Sequence, residues 1–105
     1  MNQYDIVLVN LDPTVSSEIE KTRPCIIVSP NEMNQSISTV IIAPVTSNKK
    51  KYLTRVKLIS EKTNGMIVLD QIRTIDKRRI IKSIGQITVK PNIQIKEVLN
   101  EILIQ

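Results

Sequence analysis

The side chains able to do chemistry in this chain fall in a few polar clusters. The first lies between Leu11 and Pro24 and carries Thr14, Ser16, Ser17, Glu18, Glu20, Lys21, Thr22 and Arg23. A long polar loop flanked by two apolar runs is often functional. Arg23 stands directly before Pro24, where a following strand would hold its base rigid. The plainer alternative is a solvated loop with an Arg–Glu surface pair worth at most ~1 kcal/mol. The second cluster is Pro44-Val45-Thr46-Ser47-Asn48 with Lys49, Lys50 and Lys51 behind it. Its hydroxyls could satisfy a turn and its lysines could be solvated; near Arg23, the same groups could bind phosphates. The third runs from Asp70 through Gln71 and Arg73 to Asp76, Lys77, Arg78 and Arg79. It could equally be a hairpin edge carrying ion pairs, Arg73 with Asp76 among them.

Composition removes several mechanisms. The 105 residues contain no His, so a His-activated nucleophile, an imidazole acid/base and a His metal ligand are excluded. One cysteine makes neither an intramolecular disulfide nor a Cys-rich zinc site, and it points to a reducing, intracellular setting. Between Pro24 and Ile26, Cys25 reads as a small buried apolar residue. The opening Met1-Asn2-Gln3-Tyr4-Asp5 lacks a signal peptide's basic and apolar regions, and no apolar run reaches the ~18 residues of a membrane span. A net charge of +5 points weakly to polyanions.

The elements that must position these groups are short β-branched runs. Strands are expected at Asp5–Val9, Cys25–Ser29, Thr39–Ala43, Thr54–Leu58 and Gly85–Val89. A further run, Gly65–Asp70, leads into alternating residues from Gln71 to Asp76, with Arg73 and Ile75 on one face. Such closely spaced strands predict one domain, an antiparallel sheet curled into a small barrel. After Pro91, the residues Ile95, Val98, Leu99 and Ile102 form one face of an amphipathic helix, with Asn92 as its N-cap.

Taken in order, these segments resemble the MazF/PemK family of endoribonuclease toxins. The resemblance rests on Asp5-Ile6-Val7 with Asp12-Pro13-Thr14, on Ser17-Glu18 with Arg23-Pro24, and on Val28-Ser29-Pro30. It continues in Ala43-Pro44-Val45-Thr46-Ser47 and is most specific in Asp70-Gln71-Ile72-Arg73-Thr74-Ile75-Asp76, covering nearly the whole chain. It implies a mainly β, SH3-like barrel with added helices and a C-terminal amphipathic helix. The activity it implies is metal-independent, cofactor-free and sequence-selective cleavage of single-stranded RNA, leaving 2′,3′-cyclic phosphate and 5′-hydroxyl ends. It also implies a cytoplasmic homodimer, an antitoxin with an acidic disordered tail, DNA binding by the toxin–antitoxin complex, and no membrane association.

By that resemblance Arg23 matches the family's essential arginine, Thr46 its catalytic-site threonine, and Ser17 with Glu18 the pair in its first loop. Gln71 matches a residue of the RNA-facing groove, with Asp70 beside it. Ser47, Lys49, Lys50, Lys51, Arg55, Lys57 and Arg73 are further candidate RNA contacts. The transition state is phosphorane-like and dianionic, so it requires a preorganised cation and hydrogen-bond donors. A guanidinium fork spans two phosphate oxygens and stays protonated. Without His, a carboxylate is the conventional acceptor for the 2′-hydroxyl proton: Glu18 by motif, Asp70 as the alternative. Two departures from the family pattern are Ser16 where a Gly is usual, and Ser17 and Val68 where one branch places a His-containing triad. A CcdB-like gyrase poison of the same barrel is the rival from another class. A silent RNA-binding barrel is the third reading, and its stacking platforms would be limited to Tyr4 and Tyr52.

Overall fold

The computed structural model describes residues 1–11, 22–60 and 62–104. Ser17 and Glu18, with the rest of 12–21, lie outside the described residues. Among the described residues the chain runs β1 (Asp5–Asn10), β2 (Thr22–Ile27), α1 (Asn31–Ser36), β3 (Thr39–Thr46), β4 (Arg55–Ile59), β5 (Asn64–Val68), β6 (Arg73–Asp76), β7 (Ile80–Gln86) and α2 (Val89–Leu103). The strands join in the order β4-β5-β3-β2-β1-β7, with β6 also paired to β3, and every pairing is antiparallel.

The uninterrupted apolar runs mark a sheet buried on both faces. Ile6, Ile26, Ala43, Val45, Leu58, Ile67 and Ile95 pack on one side. The strand neighbours of the first three, Val7, Cys25, Ile27 and Ile42, pack with Val9, Val40 and Ile75 on the other. Helix α2 closes the first side: Ile95 is fully buried, and Val98 and Leu99 pack against it while Ile102 lies largely exposed. Among the described residues no helix is long and apolar enough to cross a membrane.

Several boundaries differ from the sequence expectation. Strand β3 continues through Pro44 to Thr46. Its pairing with β6 ends at Ile42 and that with β5 begins at Val45, so Pro44 falls at the changeover, where that side of the ladder has no use for its missing N–H. A 3₁₀ turn at Leu69–Gln71 separates β5 from β6 and carries the chain from one half of β3 to the other. The last strand is Ile80–Gln86, not Gly85–Val89; its Ile81, Lys82 and Ser83 are exposed, so no alternation announced it. Helix α2 begins at Val89 with Thr88, not Asn92, at the N-cap. Pro91 sits in its first turn, where backbone N–H groups have no intrahelical partner to lose.

The short α1 escaped the sequence reading because its core-facing residue is polar. Asn34 is buried and bonds Ser29 twice, donating Nδ2 to its carbonyl at 2.9 Å and accepting from its hydroxyl. The Ser29 hydroxyl also accepts from the Ile41 N–H at 3.0 Å, so the Val28-Ser29-Pro30 segment ties α1 to β3.

Candidate functional site

The β2–β3 pairing starts at Cys25↔Pro44, two residues short of Arg23 and Thr46. Arg23 pairs with Val9 of β1, and two residues on, Cys25 pairs with Pro44 of β3. Continuing that register by two residues sets Arg23 level with Thr46. Alternation puts Arg23, Cys25 and Ile27 on one face of β2, and Ile42 and Thr46 on the same face of β3. Arg73 pairs with Ile42 from the other side, so it shares that face too. The two guanidiniums report their proximity on the Cys25 thiol. Burial pushes the thiol up to about 12, and the positive charges of Arg23 and Arg73 oppose the rise. Cys25 is fully buried and keeps its proton, as expected of an apolar core residue.

Thr46 is held from two directions. Its Oγ1 accepts the Asn48 N–H at 3.2 Å, and Asn48 Oδ1 accepts the Lys50 N–H at 3.0 Å. These side-chain-to-backbone turns fix the segment that carries Ser47 and Lys49. The Thr46 hydroxyl accepts in this contact, which leaves its proton to donate. From the other side β5 comes unusually close at Gly65. A Cβ there would collide with the Thr46 carbonyl oxygen and lie 3.1 Å from its carbon and 3.2 Å from Val45 Cγ1.

A cleft of about 260 Å³ opens where β2 begins and β3 ends, lined by Thr22, Arg23, Pro24, Val45, Ser47, Thr63 and Asn64. Thr46 lies between two lining residues without lining the cleft itself. Asn64 also lines an adjoining cleft of about 260 Å³ with Lys49, Lys51 and Lys57. Beyond it a groove of about 810 Å³ runs between β4 and α2, floored by Val56, Met66 and Val98 and rimmed by Lys51, Arg55, Lys57 and Glu97.

The third cluster is divided. Asp70 Oδ1 accepts the Thr54 hydroxyl at 2.8 Å and lies 3.8 Å from Arg55 Nε. Asp70 lines none of these clefts, and neither does the exposed Gln71. Arg55 is the half-buried member of the expected RNA contacts, stacked at 4.5 Å over the Tyr52 ring, near which the Lys50 ammonium also lies at 5.5 Å. Arg73 leaves Asp76 to another partner. Arg78 grips that carboxylate through Nε and Nη2, both at 3.1 Å, and these bonds hold Asp76 below its ordinary range. Arg73 is exposed and, paired with Ile42, shares the Arg23 face.

Sequence reasoning placed Gly65 at the head of an apolar run but named neither Thr63 nor Asn64 for the site; Asn64 opens β5 one residue earlier.

The profile of the PemK-like, MazF-like toxins of type II toxin–antitoxin systems matches residues 2–103. The chain belongs to the PemK/MazF toxin family. It is 34% identical to "Endoribonuclease MazF" of Staphylococcus saprophyticus, an alignment covering 97% of this chain and 88% of that one. In fold it is similar to the crystal structure of MazF from Deinococcus radiodurans, with a TM-score of 0.84 at 23% identity, covering 100% of this chain and 97% of that chain. An endoribonuclease in complex with its cognate antitoxin from a mycobacterial species gives a TM-score of 0.85 at 20% identity, covering 98% and 94%. The PemK/MazF toxin is thus a mainly β barrel with a C-terminal helix, as the sequence implied.

Proposed function

We propose that this toxin, acting as one domain over residues 1–105, is an endoribonuclease that cuts single-stranded RNA at a short preferred sequence. The ribose 2′-oxygen attacks the adjacent phosphorus, the bond to the 5′-oxygen breaks as that oxygen takes a proton from water, and a 2′,3′-cyclic phosphate and a 5′-hydroxyl result. Arg23 clamps the dianionic transition state and Thr46 donates to the same phosphate. The observation that carries this reading is the β2–β3 register: extended two residues beyond Cys25↔Pro44, it would set a permanent cation level with a hydroxyl donor on one sheet face. Arg73 supplies further positive charge there. Glu18 takes the 2′-hydroxyl proton, because Asp70 is already occupied by Thr54 and Arg55. Ser17, Ser47 and Gln71 contact the RNA, while Lys49, Lys50, Lys51, Arg55 and Lys57 neutralise its backbone.

The active form is a cytoplasmic homodimer. Its antitoxin is a protein with an acidic, disordered tail that lies along the groove between β4 and α2. The lysine rim and apolar floor of that groove suit such a segment. A gyrase poison has less support, since the relatives above are endoribonucleases.

The test is cleavage of a long RNA by purified protein in EDTA, with the new 5′ ends mapped by sequencing. Cuts at one recurring sequence, lost in a folded Arg23→Ala variant, support the assignment. Wild-type protein that leaves RNA intact and inhibits gyrase supercoiling overturns it. Glu18→Gln and Asp70→Asn separate the carboxylates: only the former should abolish the fall in rate at low pH.

A further inference from the structure

The cleft beside Arg23 contains one side chain suited to reading a base. Asn64 opens β5 opposite Ile59, at the end of the β4–β5 hairpin. The tip of that hairpin is tied down by Ser60. The Ser60 backbone N–H is shared between the Thr63 carbonyl at 3.1 Å and Asn64 Oδ1 at 2.9 Å. The Ser60 hydroxyl donates to the Thr63 carbonyl at 2.8 Å and accepts the Thr63 N–H at 3.1 Å. Because a backbone N–H can only donate, the amide orientation of Asn64 is settled: oxygen towards Ser60, NH₂ away from it.

Asn64 also occupies a junction. It lines the Arg23 cleft and the lysine-lined cleft alike, so a strand whose phosphates follow Arg23 and then Lys49, Lys51 and Lys57 must pass it. The cations on either side serve phosphates. A neutral, oriented donor between them suits a base edge, which is where sequence is read.

We propose that Asn64 is a specificity-determining residue that donates its NH₂ to a carbonyl oxygen of a base flanking the scissile phosphate. An asparagine with both amide atoms free reads adenine bidentately, accepting from the exocyclic amine and donating to N7. With its oxygen turned to Ser60, Asn64 cannot set both amide atoms against one base edge, and the group it turns away from the hairpin tip is the NH₂ donor. Uracil and guanine present a carbonyl at the edge where cytosine and adenine present an amine, so the site selects keto over amino bases. This inference rests on the ribonuclease reading and adds to it a residue and a base class.

The test compares cleavage of RNA oligonucleotides that differ only in the nucleotides next to the cut, by wild type, Asn64→Asp and Asn64→Ser. Wild type should favour uracil or guanine at one flanking position. Asn64→Asp retains an acceptor for Ser60 but replaces the donor by an acceptor. It should move the relative kcat/KM at that position by about tenfold towards adenine or cytosine. Asn64→Ser, whose hydroxyl both donates and accepts, should flatten the preference. Thermal melting establishes that each variant is folded, and the serine variant carries the test if aspartate beside the hairpin unfolds. An unchanged base ranking in a folded variant overturns the proposal, as does a slower enzyme with the same ranking or a wild type that prefers amino bases. Wild type that cuts no RNA overturns the ribonuclease reading itself.

Discussion

Gly65→Ala tests how the sheet positions Thr46. The added methyl would collide with the Thr46 carbonyl oxygen and crowd the Thr46 carbon at 3.1 Å and Val45 Cγ1 at 3.2 Å. Strand backbone cannot rotate away as a flexible side chain can, so β5 must back off from β3 by about 1 Å, measured against ordinary carbon contact distances. Overpacking of this kind costs about 1–3 kcal/mol. The pairs joining the two strands, Val45↔Ile67 and Thr46↔Met66, both lie beside the collision, and weakened ladder bonds add about 1 kcal/mol. A loss near 3 kcal/mol lowers Tm by about 15 °C in a domain of this size. The displacement falls on Thr46, and a misplacement of about 1 Å costs on the order of 100-fold in rate.

The control is Gly85→Ala. Gly85 has φ of +154°, but a Cβ there meets only Ile6 Cδ1 at 3.7 Å. Backbone strain of about 1–3 kcal/mol is the expected cost, with no displacement of the site. Both variants should therefore melt earlier, and only Gly65→Ala should turn over slowly when assayed with saturating RNA well below its melting temperature. Wild-type Tm and turnover in Gly65→Ala would refute the close approach of β5 to Thr46. Equal slowing in both variants would detach the rate from Thr46.

Arg23→Lys keeps the charge but removes the planar fork, and kcat should fall by about 10²–10³-fold, the usual cost of losing one preorganised donor, with circular dichroism unchanged. Replacing Lys49, Lys50 and Lys51 together by alanine should weaken RNA binding at low salt and make the log–log salt dependence shallower by about 2, at ~0.7 per lost phosphate contact on a single strand. Cys25 gives a pH prediction. The unfolded thiol ionises near its ordinary value of 9.0, whereas the buried thiol keeps its proton to about 12. Across that window the folded state binds the extra proton, so stability falls as pH rises, by up to about 4 kcal/mol at the top of the window. Denaturant melts should show this slope in wild type and lose it in Cys25→Ala, and iodoacetamide should label Cys25 at pH 8 only after unfolding.

How far the fold and site could be read varied with the range of the interactions involved. The runs Asp5–Val9 and Thr39–Ala43 announced their strands because β-branched residues buried on both faces leave few other options. The helical spacing of Ile95, Val98 and Leu99 predicted the face that α2 buries. Strand β7 and helix α1 stayed hidden, since Ile81 faces solvent and Asn34 faces the core, each against the rule of its type. The Arg73–Asp76 pair, one of two readings the sequence left open, yields to Arg78, which reaches the carboxylate from the following turn with a backbone N–H as well as its guanidinium.

Taken alone, the sequence determined which groups exist: no imidazole, one thiol bound to lie in the core, an arginine ahead of a proline, hydroxyls ahead of lysines. Those are properties of single residues and their near neighbours. Only the tertiary structure decided that the extended β2–β3 register sets Arg23 level with Thr46, that Arg73 joins their face, and that Asn64 lies in the same cleft as Arg23. Register between strands distant in the chain is a property of the closed sheet. A slip of one residue would turn Arg23 or Thr46 to the opposite face. What prevents the slip is packing on both faces of the sheet, together with one missing side chain at Gly65 that lets β5 close against Thr46.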